Sequence, residues 1–324
     1  MPADDACCRD NTAKPAAIFL MGPTASGKTD LAVELVRRLP CDIISVDSAM
    51  VYRGMDIGTA KPDAETLAKA PHRLIDICDP AGAFSAAQFR QQALAEIDDI
   101  LVRGRIPLLV GGSMLYFRVL EQGLSPLPSA DAGVRTGLAA EAAAQGWAAM
   151  HARLAVVDPR AAARIEASDP QRILRALEVF ELTGEPLSDW FEKPKDNVLP
   201  FHPVKLVLAP MDRALLHERI ARRFRRMLDA GLLDEVRRLR ERDDLHADLP
   251  AMRAVGYRQA WSYLVGDMDH DALLERGIIA TRQLAKRQFT WLRKEQNTAW
   301  FEPRDEELLG KVLKYLESDT TSRA

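Results

Sequence analysis

Residues 22–30 read GPTASGKTD and place Gly22, Gly27, Lys28 and Thr29 at every fixed position of G-x-x-x-x-G-K-[ST], with Thr24, Ala25 and Ser26 filling the loop between them. In that spacing successive backbone N–H groups and a helix start converge on an anion. The lysine ammonium neutralises its outer oxygens, and the threonine hydroxyl is placed to ligate Mg2+. The pattern specifies a polyphosphate without saying whether a nucleoside carries it. A glycine turn that merely opens a helix is the plainer alternative.

A triphosphatase adds an acid at the end of a later apolar strand, to hold Mg2+ and its water. Here the run LLVGGS (108–113) ends in glycines, and VKLVLAP (204–210) ends in Ala-Pro. The acid that does follow a β run is Asp47, in IISVDS. A strand there brings it to the carboxyl edge of a parallel sheet, where ligands bind. A substrate-handling carboxylate, as in small-molecule kinases, and a solvated strand-end aspartate both fit that position.

The elements around these residues support the first reading of the loop. AAIFLMG (16–22) is a short apolar run that leads into it, and TDLAVELVRRL follows with Leu31, Leu35, Val36 and Leu39 at helical spacing. Further buried strands are expected at CDIISVDS, IPLLVGG (106–112) and VKLVLAP, with the helical SAAQFRQQALAEIDDILVRG before the third. Short apolar runs alternating with helices indicate a parallel sheet covered on both faces. SPLPSADAG (125–133) then breaks the pattern, and the alanine-rich chain beyond it has no strand candidate before Val204. In it, SDPQRILRALEVFELTG carries a Ser/Asp cap, Pro170 in the first turn and Gly184 as a stop.

The expected fold is therefore α/β, a P-loop NTPase-like parallel sheet flanked by helices with a small all-helical insertion domain. The core takes residues 16–125 and 200–316, ending in C-terminal helices, and the insertion takes 126–199. Residues 1–15 and 317–324 are expected to be disordered tails.

Composition narrows the classes further. The chain has 324 residues, 47% hydrophobic and 28% charged, with a net charge of −3, so it holds material for a sizeable core and shows no global basicity. The four cysteines, Cys7, Cys8, Cys41 and Cys78, lack C-x-x-C spacing. That argues against zinc and a disulfide framework, and for a reducing cytosol. With no apolar run long enough to span a bilayer, a cytoplasmic protein without a membrane partner is expected.

SVDSAMVYRGMDIGTAKP (45–62), read with the loop, closely resembles the bacterial tRNA dimethylallyltransferases, also called tRNA isopentenyltransferases. The resemblance continues in order through PHRLID (71–76), VGGSMLYFRVL (110–120), DPQRILRALEV (169–179), RAVGYRQ (253–259) and ATRQLAKRQFTWLRK (280–294). It implies transfer of a dimethylallyl group from dimethylallyl diphosphate to N6 of adenosine 37, beside the anticodon of tRNAs that read codons starting with U. It also implies that the loop, from Gly22 to Thr29, binds a diphosphate leaving group with Mg2+ assisting through Thr29. Asp47 becomes the catalytic carboxylate aimed at the adenine amine, and Lys28 and Arg223 stabilise the departing charge. Where this family usually has threonine, the chain has Ser113, which keeps the hydroxyl. His72 falls near the donor pocket or in a structural role.

The same resemblance points to tRNA contacts at Asp47, Ser48, Ala49, Met50, Ser113, Gln171, Arg172, Arg175, Arg253, Gly256, Tyr257, Arg258, Lys286, Arg287, Gln288 and Arg293. Arg135 joins them from an insertion expected to move and clasp the anticodon stem-loop. An acidic chain must meet RNA with local basic clusters, and RIARRFRR supplies one, with Arg219, Arg222, Arg223 and Arg226 on one helix face. KRQFTWLRK supplies another around Phe289 and Trp291, rings for which core packing has the edge over base stacking. The implied partners are tRNA and dimethylallyl diphosphate, with the protein a monomer needing no protein partner. Two other classes compete: a P-loop small-molecule kinase using ATP, and an RNA-binding module with a vestigial nucleotide site. The basic clusters count against the first, and an intact Lys28–Thr29 pair beside Asp47 counts against the second.

Overall fold

Runs that are apolar at most consecutive positions, rather than strictly at alternate ones, suit strands buried on both faces. The computed structural model, which describes residues 14–193 and 199–321, places such strands at β1 (Ala16–Met21), β2 (Cys41–Val46), β4 (Ile106–Gly111) and β5 (His202–Leu208). Two shorter strands, β3 (His72–Arg73) and β6 (Thr298–Phe301), extend the sheet. The order is β3-β2-β4-β1-β5-β6, and every pairing is parallel. The edge strands were not expected from sequence. One is two residues long, and the other is four residues with no buried position and Trp300 45% exposed, so neither carries the burial signature of a central strand.

The helices are α1 (Lys28–Arg38), α2 (Ala64–Lys69), α3 (Ala86–Val102), α4 (Met114–Gln122), α5 (Ala132–Gln145), α6 (Trp147–Val157) and α7 (Pro159–Ala162). They continue with α8 (Pro170–Thr183), α9 (Leu187–Glu192), α10 (Arg213–Asp229), α11 (Leu232–Arg240), α12 (Tyr257–Leu264), α13 (His270–Leu292) and α14 (Leu308–Thr321). The expected C-terminal tail is thus helical from 317 as far as 321, because Val312 and Leu316 are buried against the sheet and hold that helix in place. The expected tail at 1–15 falls outside the described residues up to 13, as do Cys7, Cys8 and 322–324.

Contacts divide the chain into two units, Met1–Glu121 with Leu199–Ala324, and Gln122–Val198. In the first, period-two alternation sends Ile18 and Leu20 of β1 to one face, where Leu31 and Leu35 of α1 cover them. Phe19 points the other way, with ring centroids 5.3 Å from Phe117 and 6.1 Å from Phe201. A further cluster joins α10, α11, α12 and α13 through Leu216, Phe224, Leu232, Val236, Tyr257 and Leu273.

The second unit, α5 to α9, builds its own core from Leu138, Met150, Leu154, Ile173 and Leu177. The Asp169 carboxylate caps α8 by accepting from the Arg172 amide, Pro170 opens the helix, and Gly184 ends it at φ 71°. Inside this unit Glu178 is fully buried and paired with both Arg135 and Arg175.

Gly277 shows how closely two of these helices approach. A Cβ there would stand 2.0 Å from Cζ of Phe224, so α10 seats its ring directly on the backbone of α13. Gly277→Ala is expected to lower stability by about 1–3 kcal/mol, the usual cost of overpacking, read as a lower midpoint in chemical denaturation.

Candidate active site

A cavity of about 1310 Å³ opens at the carboxyl ends of the strands, and its lining includes Thr24 to Leu31, Asp47 to Met50, Ser113 and Arg223. That exceeds the several hundred Å³ of an ordinary small-molecule pocket, which leaves room for two reactants. The phosphate loop forms its floor. Gly27 has φ 96° and Ala25 φ 63°, the left-handed turns that let consecutive amides point inward. Lys28 folds back so that its ammonium donates to the Gly22 and Pro23 carbonyls at 2.9 and 2.7 Å.

Burial and then the nearby Arg223 guanidinium push the Lys28 pKa down to about 7, with Asp47 pulling the other way. An anion on the loop favours the protonated lysine, so affinity is fully developed below pH 7 and lost above it. Binding of inorganic pyrophosphate without Mg2+ is therefore expected to weaken by up to about tenfold per pH unit above 7, relative to a Lys28→Met baseline. Titration calorimetry at several pH values checks this. A parallel pair of pH profiles would exclude it.

Asp47 ends β2, and its Oδ1 accepts the amides of Ala49 and Met50 at 2.8 and 3.2 Å. This Asx-type turn fixes the carboxylate and leaves Oδ2 for a substrate donor. Beside it, Ser113 Oγ accepts the Ser48 amide at 3.0 Å, so the hydroxyl shared by serine and threonine links the ends of β2 and β4. The glycines where an acid was sought have a steric reason. A Cβ on Gly112 would lie 2.4 Å from Nε2 of Gln288, whose amide donates to the Gly112 carbonyl and accepts from the Thr24 amide, both at 2.9 Å.

Arginines of α10 form the facing wall. Arg219, Arg222, Arg223 and Arg226 all line the cavity, and Arg219 donates to the Ser26 carbonyl at 3.4 Å. The shared helix face expected from spacing is real, but it faces the phosphate loop. Burial lowers the Arg223 pKa and Asp47 raises it, a sign that the two charges are close. His72 also borders the cavity, with Nδ1 2.7 Å from the Ala70 carbonyl and its pKa lowered by burial.

The remaining residues singled out from sequence divide. Arg253, Gly256 and Arg287 border the cavity, whereas Arg258, Lys286 and Arg293 are exposed away from its lining. Two of the residues assigned to RNA turn their side chains inward. Gln288 is buried with its amide engaged as above, and Tyr257 is fully buried with its hydroxyl donating to Glu235 at 2.5 Å. Arg135 and Arg175 are held by Glu178, whose carboxylate pKa they lower against the effect of burial. Gln171 and Arg172 open α8, with Arg172 exposed and 3.3 Å from Asp169. Phe289 and Trp291 are partly buried, and Phe289 packs on the α10–α13 core. Glu235 was missed. Its signal was a charge at an apolar position of α11, between Leu232 and Leu239.

A parallel sheet whose first strand feeds a glycine loop and helix, under a carboxylate and a wall of arginines, defines a phosphate-loop α/β protein. The IPP transferase family matches residues 50–295. A tRNA dimethylallyltransferase of Thioalkalivibrio sulfidiphilus is 66% identical over 279 residues, covering 86% of this chain and 87% of that protein. One of Alkalilimnicola ehrlichii is 63% identical over 290 residues, covering 89% and 91%. Among solved structures, the full-length tRNA isopentenylpyrophosphate transferase of Bacillus halodurans superposes with TM-score 0.70 at 35% identity, covering 96% of this chain and 98% of that one. A eukaryotic dimethylallyltransferase acting on tRNA shares the fold, with TM-score 0.77 at 23% identity over 95% and 80% of the two chains. The chain belongs to the IPP transferase family.

Proposed function

We propose that this protein transfers a dimethylallyl group from its diphosphate to N6 of adenosine 37 in tRNAs that read codons starting with U. The observation that carries the reading is the single cavity that combines an intact phosphate loop, Asp47 and Arg223 with no second strand-end acid on β4 or β5. Such a site lacks the carboxylate that a triphosphatase uses to place water. The names of its relatives supply the substrates that fit, a prenyl diphosphate and tRNA.

Asp47 Oδ2 takes the proton from the N6 amine as nitrogen attacks the allylic carbon. The carbon–oxygen bond to the diphosphate breaks, and its electron pair leaves on the oxygen. Lys28, Arg223 and the loop amides line the cavity where that charge would grow, and donors held in place beforehand give most of such stabilisation. Mg2+ would be held by Thr29 together with diphosphate oxygens. No group of three or more His, Cys, Asp or Glu suited to a metal occurs among the described residues, and Mg2+ commonly takes few protein ligands beside substrate phosphates. The ion would supply further neutralisation of the leaving group.

The protein works as a cytoplasmic monomer on this reading. Among the described residues no helix is long and apolar enough to cross a membrane. Exposed Lys286 and Arg293, outside the cavity, would meet tRNA phosphates. Lys286→Ala with Arg293→Ala is expected to weaken tRNA binding and flatten its log–log salt dependence by about 0.7–0.9 for each phosphate no longer neutralised, with pyrophosphate affinity unchanged.

Incubation with Mg2+, dimethylallyl diphosphate and unmodified tRNA carrying adenosines at positions 36 to 38 should add one prenyl mass at position 37. ATP with a panel of metabolites serves as the parallel donor. Phosphoryl transfer from ATP without prenylation would overturn the proposal.

A further inference from the structure

Glu235 sits on α11 on the same face as Leu232, Val236 and Leu239, and is 3% exposed. A carboxylate in such a place must be satisfied by donors. Its Oε2 accepts the amides of Asp56 and Ile57 at 3.0 and 2.8 Å, and its Oε1 accepts the Gly58 amide at 3.2 Å and the Tyr257 hydroxyl at 2.5 Å. Burial and the carboxylate together raise the Tyr257 pKa far above its usual value, so the phenol keeps the proton it donates.

The ring of Tyr257 also fills the space beside residue 58. A Cβ on Gly58 would come within 2.5 Å of its Cε2 and 2.8 Å of Leu232 Cδ1. The carboxylate, the phenol and the missing side chain thus clamp 56–58 from one side. Next along the chain, Thr59 Oγ1 donates to the carbonyls of Met55 and Asp56 at 2.7 and 3.1 Å. The Thr59 carbonyl in turn accepts from Arg223 at 3.4 Å. Gly58, Thr59 and Ala60 form cavity wall with Arg223, while Glu235 and Tyr257 stand behind it.

We propose that Glu235, acting with Tyr257, is a positioning residue: it fixes 56–59 so that the Thr59 carbonyl holds Arg223 beside Lys28 and Asp47. Net stability is a poor alternative explanation, since a buried carboxylate seldom repays its desolvation against an apolar residue of similar size. The effect on transfer rests on the function proposed above, whereas the effect on anion binding does not.

The test is a double-mutant cycle. Tyr257→Phe and Glu235→Gln are made alone and in an Arg223→Ala background, with prenyl transfer and binding of inorganic pyrophosphate as readouts. Glu235→Gln sets an amide N–H against backbone donors, and Tyr257→Phe, which keeps the ring, carries the test where the first fails to fold. Tyr257→Phe is expected to lower kcat about tenfold and Glu235→Gln on the order of 100-fold, as misplacement of a charged group does. Pyrophosphate affinity should fall alongside, and the KM for tRNA should stay put.

In the Arg223→Ala background either change should cost less than about twofold more, because residues acting through one another are not additive. Losses that multiply with that of Arg223→Ala, or that fall on tRNA KM alone, would overturn the proposal. A wild-type protein that transfers no prenyl group overturns the proposed function instead, and the pyrophosphate cycle still decides the positioning role.

Discussion

Asp47→Asn is expected to lower the turnover of prenyl transfer by about 10²–10⁴, the range spanned by general-base contributions. Asparagine retains an oxygen that can accept the Ala49 and Met50 amides, so the turn that Oδ1 caps survives. What disappears is the acceptor for the amine proton. An exocyclic amine conjugated to a purine is a weak nucleophile, and its attack needs that proton removed. Single-turnover assays should therefore show slow chemistry, with tRNA affinity and the melting temperature nearly unchanged. Loss of tRNA affinity with normal single-turnover chemistry would make Asp47 a docking residue.

Lys28→Met is expected to cost about 10²–10³ in kcat, as removal of a group that stabilises a developing oxyanion does. Its effect on stability should run the opposite way. Burial holds the Lys28 pKa at about 7, against an ordinary lysine value of 10.5. Between those values the unfolded chain binds the proton and the folded chain does not, so this group's contribution to stability rises with pH across that window. The penalty is fully present below pH 7, and methionine removes it. A variant that is inactive yet melts higher at pH 7 is the signature of a site that trades stability for function. A large fall in melting temperature would instead make the lysine's bonds to Gly22 and Pro23 the stronger effect.

The loop, Asp47 and the four central strands were legible in sequence because each depends on local pattern: a fixed spacing, a strand end, a mostly apolar run. Arg223 and its neighbours were legible as a helix face, but not the direction of that face, which is decided by Phe224 meeting Gly277 on a distant helix. MDIGTAKP, part of the stretch that carries the resemblance, has no local pattern that accounts for each of its residues. Its reason lies about 180 residues on, in Glu235, whose bonds to 56–58 no local rule predicts. Tyr257 and Gln288 sit inside stretches shared with the family and were read as RNA contacts. Their side chains turn inward, to a carboxylate and to the loop itself. Membership of a matching stretch says that a residue matters, and only the packing says to what.

The bond from the Thr24 amide to Gln288 joins residues 264 apart. A ribosome making this chain therefore releases the phosphate loop 264 residues before the side chain that fastens it. Strand β1 likewise waits for β5 before it is paired on both sides. A nascent chain stalled before residue 288 would carry the full motif without a braced loop. The bracing of the loop is thus completed only after residue 288 has been made.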